Sequence, residues 1–552
     1  MSLRPQSPLP PVPEDTARVA QIAFRRGNSD LLLRARLGTI VADTEFADLY
    51  PKRGQPAYAP WRLALVTLLQ FREGLSDRQT AEAVRARIDW KSLLALDLTD
   101  PGFDDSVLCE FRGRLLQHEA TGRLLTRILD AARDQGVLKA RGRQRTDSTH
   151  VLAAVRDLNR IELLAETLRA ALNAVAVLAP DWLRRVVPPD WHERYDRRIE
   201  DARLPEAGPK RDTYVLQVGA DGYRLLDALD IASAPSLAAI SPAVAVLRRV
   251  WARHFERADD TSDKGASVGV RLRPVQGRGP GDRVESPYDI DARFRTKSGM
   301  DWTGYMVHLT ETCDPDLPRL VVHTDTTPAN VHEAMRIGSI HAALADKGLA
   351  PSEHLVDAAY VSAKQMVAAR TQHGIALIGP TRPKQGWQAR EETAFHITDF
   401  AVDWERQRVR CPEGHESTCW GAYKMQGHMM ILARFSAAAC RTCAAKPRCT
   451  RGTRRQLALH PRAEHEALAS ARARETSEVG RKLYAQRQGI EGTISQGVQS
   501  FGLRRARYRG LTKTTLQSVA TAAALNLDRL AAWFSQRPHA PTRTSRFKAL
   551  TA

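Results

Sequence analysis

Long apolar segments are absent from this sequence, and cysteine is scarce. No run approaches the ~18 apolar residues that a membrane-spanning helix needs, and the opening MSLRPQSPLPPVPEDT lacks the apolar core of a signal peptide. Seven cysteines in 552 residues argue against a disulfide framework and favour free thiols or metal ligands. The sequence therefore predicts a cytoplasmic chain with no membrane partner.

Acidic residues are also in deficit. The chain has 63 Asp and Glu residues against 82 Lys and Arg residues, which gives a formal net charge of +19. Such an excess favours polyanionic partners, because each neutralised phosphate releases condensed counterions. A location associated with the nucleoid is consistent with this charge.

The chain is too long for a single hydrophobic core, and its patterning changes along its length. From Pro60 onward the spacing of apolar residues predicts amphipathic helices, and Ser76 with Gln79 predicts a capping box. These short helices, with arginines on their polar faces, are typical of a helix-turn-helix region or of an ordinary helical bundle. Farther along, GYMVHLTET, RLVVHTDTT, HLVDAAYV and IALIGP predict strands that alternate with helices in a mixed α/β sheet.

Three acidic residues stand out as candidate site residues. Asp147 lies in the predicted strand RTDSTHV, and Asp357 ends the predicted strand HLV. Carboxylates at strand ends point into the crevice where α/β proteins bind ligands, although each alone is more often a cap or turn residue. Glu491 shares one predicted helical face with Arg487 and Tyr484, which suit phosphate oxygens. A surface ion pair between Arg487 and Glu491 is the alternative. Together, three carboxylates can hold two Mg²⁺ ions.

These motifs resemble the DDE transposases of bacterial insertion sequences, and most closely a subgroup with a helical N-terminal domain and a four-cysteine insert. The resemblance rests on RTDSTHV, HLVDAAYVSA and Y-x2-R-x3-E, and it extends over most of the chain through passages such as WTGYMVHLTETCD, TTPANVHEA and EGTISQGVQSFGLRRARYRGLTKTTLQ. It implies an RNase H-like core in which Asp147, Asp357 and Glu491 are catalytic and bind two Mg²⁺ ions, with Mn²⁺ as an alternative.

The resemblance also implies an activity and partners. These are cleavage of double-stranded DNA at the terminal inverted repeats of an element, strand transfer into target DNA, and a homodimer when bound to the ends. Two positions depart from the family pattern, since Val498 stands where a lysine is expected and Met306 where a strand motif often has a basic residue. A catalytically inactive DNA-binding regulator or decayed transposase, and an RNase H-like nuclease without strand transfer, remain alternatives.

The predicted organisation is an α/β core with an all-α N-terminal domain and two insertions. Its parts are a flexible Pro-rich arm (1–28), a helical DNA-binding domain (29–140), the first part of the catalytic core (141–157), a helical and Gly-rich insertion (158–285), the continued core (286–400), a four-cysteine insert (401–455), the catalytic and C-terminal helices (456–535) and a basic tail (536–552).

The cysteine-rich insert is a candidate zinc site. Cys411, Cys440, Cys443 and Cys449 have the spacing C-x28-C-x2-C-x5-C. A C-x2-C pair brings two thiolates to one tetrahedral ion, and the flanking cysteines complete a structural Zn²⁺ site. Free thiols in a loop-rich module are the alternative, and Cys419 and His415 are spare ligand candidates.

A basic run follows the predicted catalytic helix. The segment FGLRRARYRGLTK gathers residues that suit DNA phosphates, namely Arg504, Arg505, Arg507, Arg509 and Lys513 around Tyr508. The cations suit backbone phosphates, and the Tyr508 ring suits a sugar or base. A solvated basic face is the alternative.

Glycines beside Glu491, at 489 and 492, suggest a close approach of DNA and metal to the helix.

Overall fold

The computed structural model describes residues 2–3, 10–38, 40–231, 234–236, 241–258, 269–274, 283–382, 386–537, 546–547 and 550. Much of the predicted Gly-rich passage and most of the predicted basic tail therefore lie outside the described residues. Among the described residues, no helix is both long and apolar enough to cross a bilayer.

The described helices come in three groups. Those before the first strand are Glu14–Ala23, Ser29–Leu37, Pro60–Glu73, Asp77–Ala86, Ile88–Leu94, Ser106–Gln117 and Arg123–Asp134. The middle group comprises Arg160–Leu178, Pro180–Val186, Asp190–Tyr195, Pro209–Leu229, Pro242–His254, Ile337–Asp346 and Ala363–His373. The last comprises Ala437–Thr442, Lys446–Cys449, Arg462–Thr476, Glu478–Ala485, Gly489–Phe501 and Leu511–Phe534. Short 3₁₀ turns lie at Asp43–Leu49, Asp201–Arg203, Glu333–Met335, Ala358–Tyr360, Trp387–Ala389, Ile397–Asp399 and Gln486–Gln488.

The strands form a central sheet and three small sheets. In chain order they are β1 (Arg143–Leu152), β2 (Phe255–Arg257), β3 (Val270–Leu272), β4 (Arg293–Lys297), β5 (Met300–Thr312), β6 (Val321–Pro328), β7 (Glu353–Leu355), β8 (Ala376–Ile378), β9 (Ala401–Asp403), β10 (Arg408–Arg410), β11 (Cys419–Met425), β12 (His428–Arg434) and β13 (Gln456–Leu459).

The central sheet has β1 in its middle. On one side β1 pairs antiparallel with β5, which pairs antiparallel with β6 and, through its first residues, with β4. On the other side β1 pairs parallel with β7, and β7 pairs parallel with β8. Residues 305–312 of β5 are all buried, as expected for a strand that is covered on both faces. This mixed sheet with its helices fits an RNase H-like core, and the predicted mixed α/β class is confirmed.

The N-terminal helices share one hydrophobic core with the sheet. The long helix Leu511–Phe534 packs against both β6 and the helix Pro60–Glu73, and its Asn526 bonds to the backbone of Val321 in β6. One cluster of buried residues includes Leu68, Leu309 and Leu525, from the N-terminal, central and C-terminal parts of the chain. Residues 29–140 are therefore packed onto the central sheet and, among the described residues, share its hydrophobic core.

Two local predictions near the N-terminus have opposite outcomes. The capping box is confirmed, because the Ser76 hydroxyl accepts from the Gln79 amide and the Gln79 side chain accepts from the Ser76 amide. The flexible arm over residues 1–28 is wrong for the helix Glu14–Ala23. Burial of Thr16 and Ala20 holds this helix, and the Thr16 hydroxyl donates to the Leu96 carbonyl at 2.8 Å. The segment contains few apolar residues, so the sequence pattern did not indicate this helix.

The predicted insertion after β1 has a separate hydrophobic core. Its described residues between 158 and 285 bury Leu164, Leu168, Leu247 and Trp251 together, and the antiparallel β2–β3 pair adds Phe255 and Val270 to this cluster. Gly222 lies against the Trp251 ring, where a Cβ atom would come within 2.2 Å of the indole. The insertion thus lengthens the connection between β1 and β4 without entering the central sheet.

The cysteine-rich segment also forms a small module. It contains the β9–β10 pair and the three-stranded β11–β12–β13 sheet, packed around Phe400, Val409 and Phe435. Strand β13 leads into the helix Arg462–Thr476, so the module directly precedes the helices that carry Tyr484, Arg487 and Glu491.

Candidate active site

Asp147 and Asp357 occupy equivalent places on neighbouring parallel strands. The last paired residues of β1 and β7 are Arg145 and Leu355, and each aspartate lies two residues farther along its strand direction. Parallel register therefore brings the two carboxylates just beyond the end of the β1–β7 pairing. Asp147 itself lies inside β1, which continues to Leu152, and not at the end of its strand. The Asp357 carboxylate accepts from the Ala359 amide at 2.9 Å and caps the turn that follows β7.

Asp147 lies in an environment that disfavours a second negative charge. Burial raises the pKa of its carboxyl group above the usual value, the Arg487 charge opposes this rise, and the nearby Asp357 charge adds to it. The side chain is 15% exposed, and its Oδ1 accepts from the Ser148 amide at 2.8 Å. A cation at this edge would relieve the repulsion between the two aspartates.

Arg487 joins Asp147 to Glu491. Its Nη2 lies 2.6 Å from Asp147 Oδ2, and its Nη1 lies 3.4 Å from Glu491 Oε1. The guanidinium is 13% exposed on its side chain, whereas the Glu491 side chain is 65% exposed. The surface ion pair considered from sequence is present, but it continues inward to a carboxylate of the sheet.

The segment that carries Tyr484, Arg487 and Glu491 is not one continuous α-helix. Tyr484 lies in the last turn of the helix Glu478–Ala485, Arg487 lies in the 3₁₀ turn Gln486–Gln488, and Glu491 lies in the first turn of Gly489–Phe501. The predicted single helical face is wrong in this detail. Tyr484 is half-buried beside Leu355. Burial raises the pKa of its hydroxyl group, the Arg487 charge opposes this rise, and the charges of both aspartates add to it.

A cavity of about 410 Å³ opens beside these carboxylates. Its lining includes Asp147, Glu491, Val498 and Arg504. The Arg504 Nε donates to the Thr149 hydroxyl at 2.9 Å, and the backbone of Arg504 accepts from the Leu152 amide at 2.8 Å. Val498, the position where the family pattern expects a lysine, thus shares the cavity with a guanidinium from the following loop.

The remaining members of the basic run have different surroundings. Arg505 and Lys513 are exposed. Arg507 donates to the Leu75 carbonyl and stacks on Phe71, while Arg509 donates to the Ala154 carbonyl at 3.4 Å. These two cations therefore contact the protein itself.

Tyr508 faces the protein as well. Its ring lies 5.8 Å from the Arg112 guanidinium and packs against the main hydrophobic core, and burial raises its pKa. The interpretation of Tyr508 as a residue that packs on sugar or base is therefore not favoured, because the ring is already engaged with the N-terminal helices.

Two family models match the chain. A model described as Transposase DDE domain matches residues 410–531, which include Glu491, and a model described as Transposase domain (DUF772) matches residues 25–114. These two matches support a DDE transposase of the insertion-sequence type. Such a protein is a nucleic-acid phosphoryl-transfer enzyme. No curated protein and no solved structure matches the chain.

Lys297 of the transposase is a residue near the site that sequence reasoning missed. It ends β4, its ammonium group donates to Glu333 at 2.8 Å, and its charge lowers the pKa of Asp147 against the effect of burial. The β4–β5 hairpin brings it there. In the sequence RTKSGMD, nothing distinguishes this lysine from an ordinary hairpin residue.

The two glycines beside Glu491 have different surroundings in the transposase. A Cβ atom on Gly489 would lie 2.1 Å from the Arg145 guanidinium, so this glycine makes room for a protein side chain. Around Gly492 nothing lies within 4 Å of a Cβ position. The suggested close approach of DNA and metal is therefore wrong for Gly489 and stays a prediction for Gly492.

The carboxylates do not form a closed ligand group. Within the part of the chain that the structure describes, no group of three or more His, Cys, Asp or Glu side chains is placed to hold a metal ion. At the candidate site, the Arg487 guanidinium lies between Asp147 and Glu491. The donor types nonetheless suit Mg²⁺, which prefers carboxylate oxygens.

The predicted zinc ligands of the transposase line one small cavity, but among the described residues they are not placed as a group that could hold a metal ion. The volume of the cavity is about 30 Å³, and its lining includes Cys411, Cys440, Cys443, Cys449 and His415. Burial raises the pKa of the Cys449 thiol, and the other three cysteines contribute to this rise. The spare candidate Cys419 is exposed and is not among the lining residues, and none of the seven cysteines forms a disulfide.

Proposed function

We propose that this transposase cleaves DNA at the ends of its insertion sequence and transfers the freed 3′ ends to target DNA. Asp147, Asp357 and Glu491 are the proposed catalytic carboxylates. The observation that supports this assignment best is the equivalent placement of Asp147 and Asp357 beyond the β1–β7 pairing, with Glu491 connected to Asp147 through Arg487.

The three carboxylates are the proposed ligands of two Mg²⁺ ions. Bound there, divalent ions supply an activated hydroxyl nucleophile and charge stabilisation at the leaving oxygen. The chain contributes the fixed positions of the donors: the sheet holds Asp147, a capped turn holds Asp357, and the first helical turn holds Glu491. Binding requires that the Arg487 guanidinium leave at least one of its two carboxylate partners.

Arg487 has an alternative partner in the proposed complex. A scissile phosphate is a charge-assisted acceptor, and a planar guanidinium binds phosphate oxygens as well as carboxylate oxygens. We therefore place Arg487 on a phosphate when DNA is bound, with Tyr484 beside it. Arg504 supplies a second cation to the same cavity, next to the uncharged Val498. The exposed Arg505 and Lys513 are proposed to contact more distant phosphates.

End recognition is proposed for the N-terminal helices that the second transposase model matches. The helix Asp77–Ala86 is amphipathic and leaves Arg78 and Arg85 exposed, which suits contacts with DNA phosphates. Because two element ends are processed together, the proposed active form is a homodimer on DNA. A nucleoid-associated location in the cytoplasm stays a prediction.

The four cysteines are proposed to hold a structural Zn²⁺ ion. The cavity that Cys411, Cys440, Cys443 and Cys449 line has room for about one water-sized sphere, and four thiolates suit tetrahedral zinc. Deprotonation of the four thiols would supply the thiolate ligands that zinc prefers. The proposed role is structural, because all four positions of the ion are taken by the protein.

An assay for joined products tests the proposed reaction. Purified protein is incubated with Mg²⁺, a duplex that carries the element end and a supercoiled target plasmid. We expect end-labelled DNA to become covalently joined to the plasmid, since the freed 3′ hydroxyl is the nucleophile. Cleaved ends without joined plasmid would favour the nuclease alternative. End binding without cleavage in Mg²⁺ or Mn²⁺ would favour an inactive DNA-binding protein.

A further inference from the structure

A buried ion cluster lies beneath the helix that carries Glu491. Its members are Arg145 of β1, Glu311 of β5 and Arg529 of the helix Leu511–Phe534. The Glu311 side chain is 0% exposed, and those of Arg145 and Arg529 are 3% and 13% exposed. Arg145 Nε donates to Glu311 Oε1 at 2.7 Å, and Arg529 Nη1 donates to Glu311 Oε2 at 2.8 Å.

Glu311 is held in its charged form. Burial alone would raise its pKa, yet the charges of Arg529 and Arg145 and the bond from the Thr493 hydroxyl keep the pKa below the usual value. The cluster therefore consists of one carboxylate and two guanidiniums in the interior.

The cluster contacts the Glu491 helix at three positions. The Thr493 hydroxyl donates to Glu311, and Arg529 Nη2 donates to the Thr493 hydroxyl at 2.6 Å and to Gln496 at 3.2 Å. The Arg145 guanidinium fills the space beside Gly489, where a Cβ atom would lie 2.1 Å away, and it also donates to the Gln486 carbonyl. These contacts begin at the turn before the helix and continue through its second turn.

The contacted positions lie on the side of the helix away from the cavity. Gly489, Thr493 and Gln496 follow an i, i+4, i+7 spacing, and at about 100° per residue their directions differ by about 140° to 160° from that of Glu491. Residues that line the cavity, Ile494, Ser495 and Val498, lie within about 60° of Glu491. Fixing the far side of the helix therefore fixes the direction in which Glu491 points.

Stability alone is a poor explanation for such a cluster. Buried ion pairs often stabilise a fold no more than apolar side chains of the same volume would. Apolar packing is also non-directional, so the buried Ile490 and Ile494 leave rotation of the helix less well defined than hydrogen bonds do. An ionic network with fixed directions supplies what apolar packing lacks.

We propose that Arg145, Glu311, Arg529 and Thr493 are positioning residues that set the rotation of the Glu491 helix relative to Asp147. The proposal rests on the proposed catalytic role of Glu491. Arg145 and Asp147 lie on the same face of β1 two residues apart, so one strand fixes both the helix and a carboxylate of the site. Gly489 contributes to the same positioning, because the absence of a side chain lets the Arg145 guanidinium approach the helix.

Thr493→Val tests the proposal with little change in side-chain volume. It removes the hydroxyl that links the helix to Glu311 and Arg529 and leaves the ion pairs in place. Thr167→Val is the matched control, because Thr167 is equally buried and its hydroxyl donates only to the Leu163 carbonyl of its own helix. Thr493→Ser restores the hydroxyl.

We expect Thr493→Val to lower kcat for end cleavage about 10- to 100-fold, the effect of a small displacement of a catalytic group, with KM for end DNA unchanged within about twofold. Thr493→Ser should recover most of the rate. Amide hydrogen exchange over residues 489–501 should rise in Thr493→Val and not in Thr167→Val. Equal rates in the two valine variants, or parallel changes in kcat and KM, would overturn the proposal.

The exchange measurement separates this proposal from the proposed function. If exchange over 489–501 is the same in Thr493→Val and Thr167→Val, the positioning role fails whatever the activity is. If exchange rises as expected but Glu491→Gln still cleaves DNA, the proposed catalytic role of Glu491 fails, and positioning of the helix stands.

Discussion

Glu491→Gln is expected to lower the rate of end cleavage by at least about 10³-fold, which corresponds to about 4 kcal/mol of lost transition-state stabilisation. Glutamine keeps the size of the side chain but removes the charge that a divalent ion requires. The Glu491 side chain is 65% exposed, so the fold should tolerate the change. Cleavage of an end-containing duplex in Mg²⁺, with DNA affinity measured in parallel, gives the result.

A control for this variant lies on the preceding helix. Glu478 is also exposed and pairs with Lys482 within its own helix, far in sequence from the aspartates. Glu478→Gln should cleave within about twofold of the wild-type rate, since an exposed i, i+4 pair stabilises a helix by only about 0.5 kcal/mol or less. Comparable losses in the two variants would show that the effect is not specific to the proposed site.

Cys443→Ser is expected to release zinc and to unfold the cysteine-rich module. Structural zinc contributes about 10 kcal/mol or more to the folding of small zinc-binding domains, and the module has only a small hydrophobic core of its own. We expect one Zn²⁺ per wild-type chain by atomic emission. In the variant we expect a loss of the metal and of hydrogen-exchange protection over residues 400–459.

Cys419 provides the matched control for the zinc prediction. It is exposed and does not line the cavity of the other four cysteines in this segment. Cys419→Ser should therefore keep the full metal content and the protection pattern of the wild type. Equal zinc contents in the two serine variants, or a wild-type chain without zinc, would show that the four cysteines are free thiols.

The predictions for Glu491 and for the four cysteines concern consecutive segments of the chain. Strand β13 of the cysteine-rich module leads through the helices Arg462–Thr476 and Glu478–Ala485 to Arg487 and Glu491. Trp404 of the module makes edge-to-face contacts with Trp420 and with His465 of the first of these helices. Loss of the module should therefore also lower cleavage, which is why zinc content and exchange, and not activity, are the measurements chosen for the cysteine variants.

The sequence predicted a strand around Asp147 and a strand that ends before Asp357, because strands follow from local patterns. The parallel pairing of β1 with β7, which brings the two aspartates together, is a contact between distant segments that local patterns do not specify. Glu491 was assigned from its neighbours Tyr484 and Arg487. Its connection to Asp147 through Arg487 depends on a 3₁₀ turn that glycine and glutamine residues permit but do not specify.

Contacts between distant segments were beyond the reach of sequence patterns. Gly489 has its explanation in Arg145, which lies more than 300 positions earlier in the chain, and Lys297 reaches the site through a hairpin. The basic run shows the same limitation. Arg504 lines the cavity, whereas Tyr508 packs on the N-terminal helices, and charge counting could not separate these roles.

A metal-specificity switch at Asp147 tests the central claim most directly. Asp147→Cys replaces a hard oxygen ligand with a thiolate of similar length, which binds Mg²⁺ poorly and accepts softer ions such as Mn²⁺. We expect the variant to be inactive with Mg²⁺ and to recover cleavage by at least about tenfold when Mn²⁺ replaces it, whereas Asp147→Ser should stay inactive with both ions. Equal activity of Asp147→Cys in the two metals would contradict the assignment of Asp147 as a metal ligand at the cleavage site.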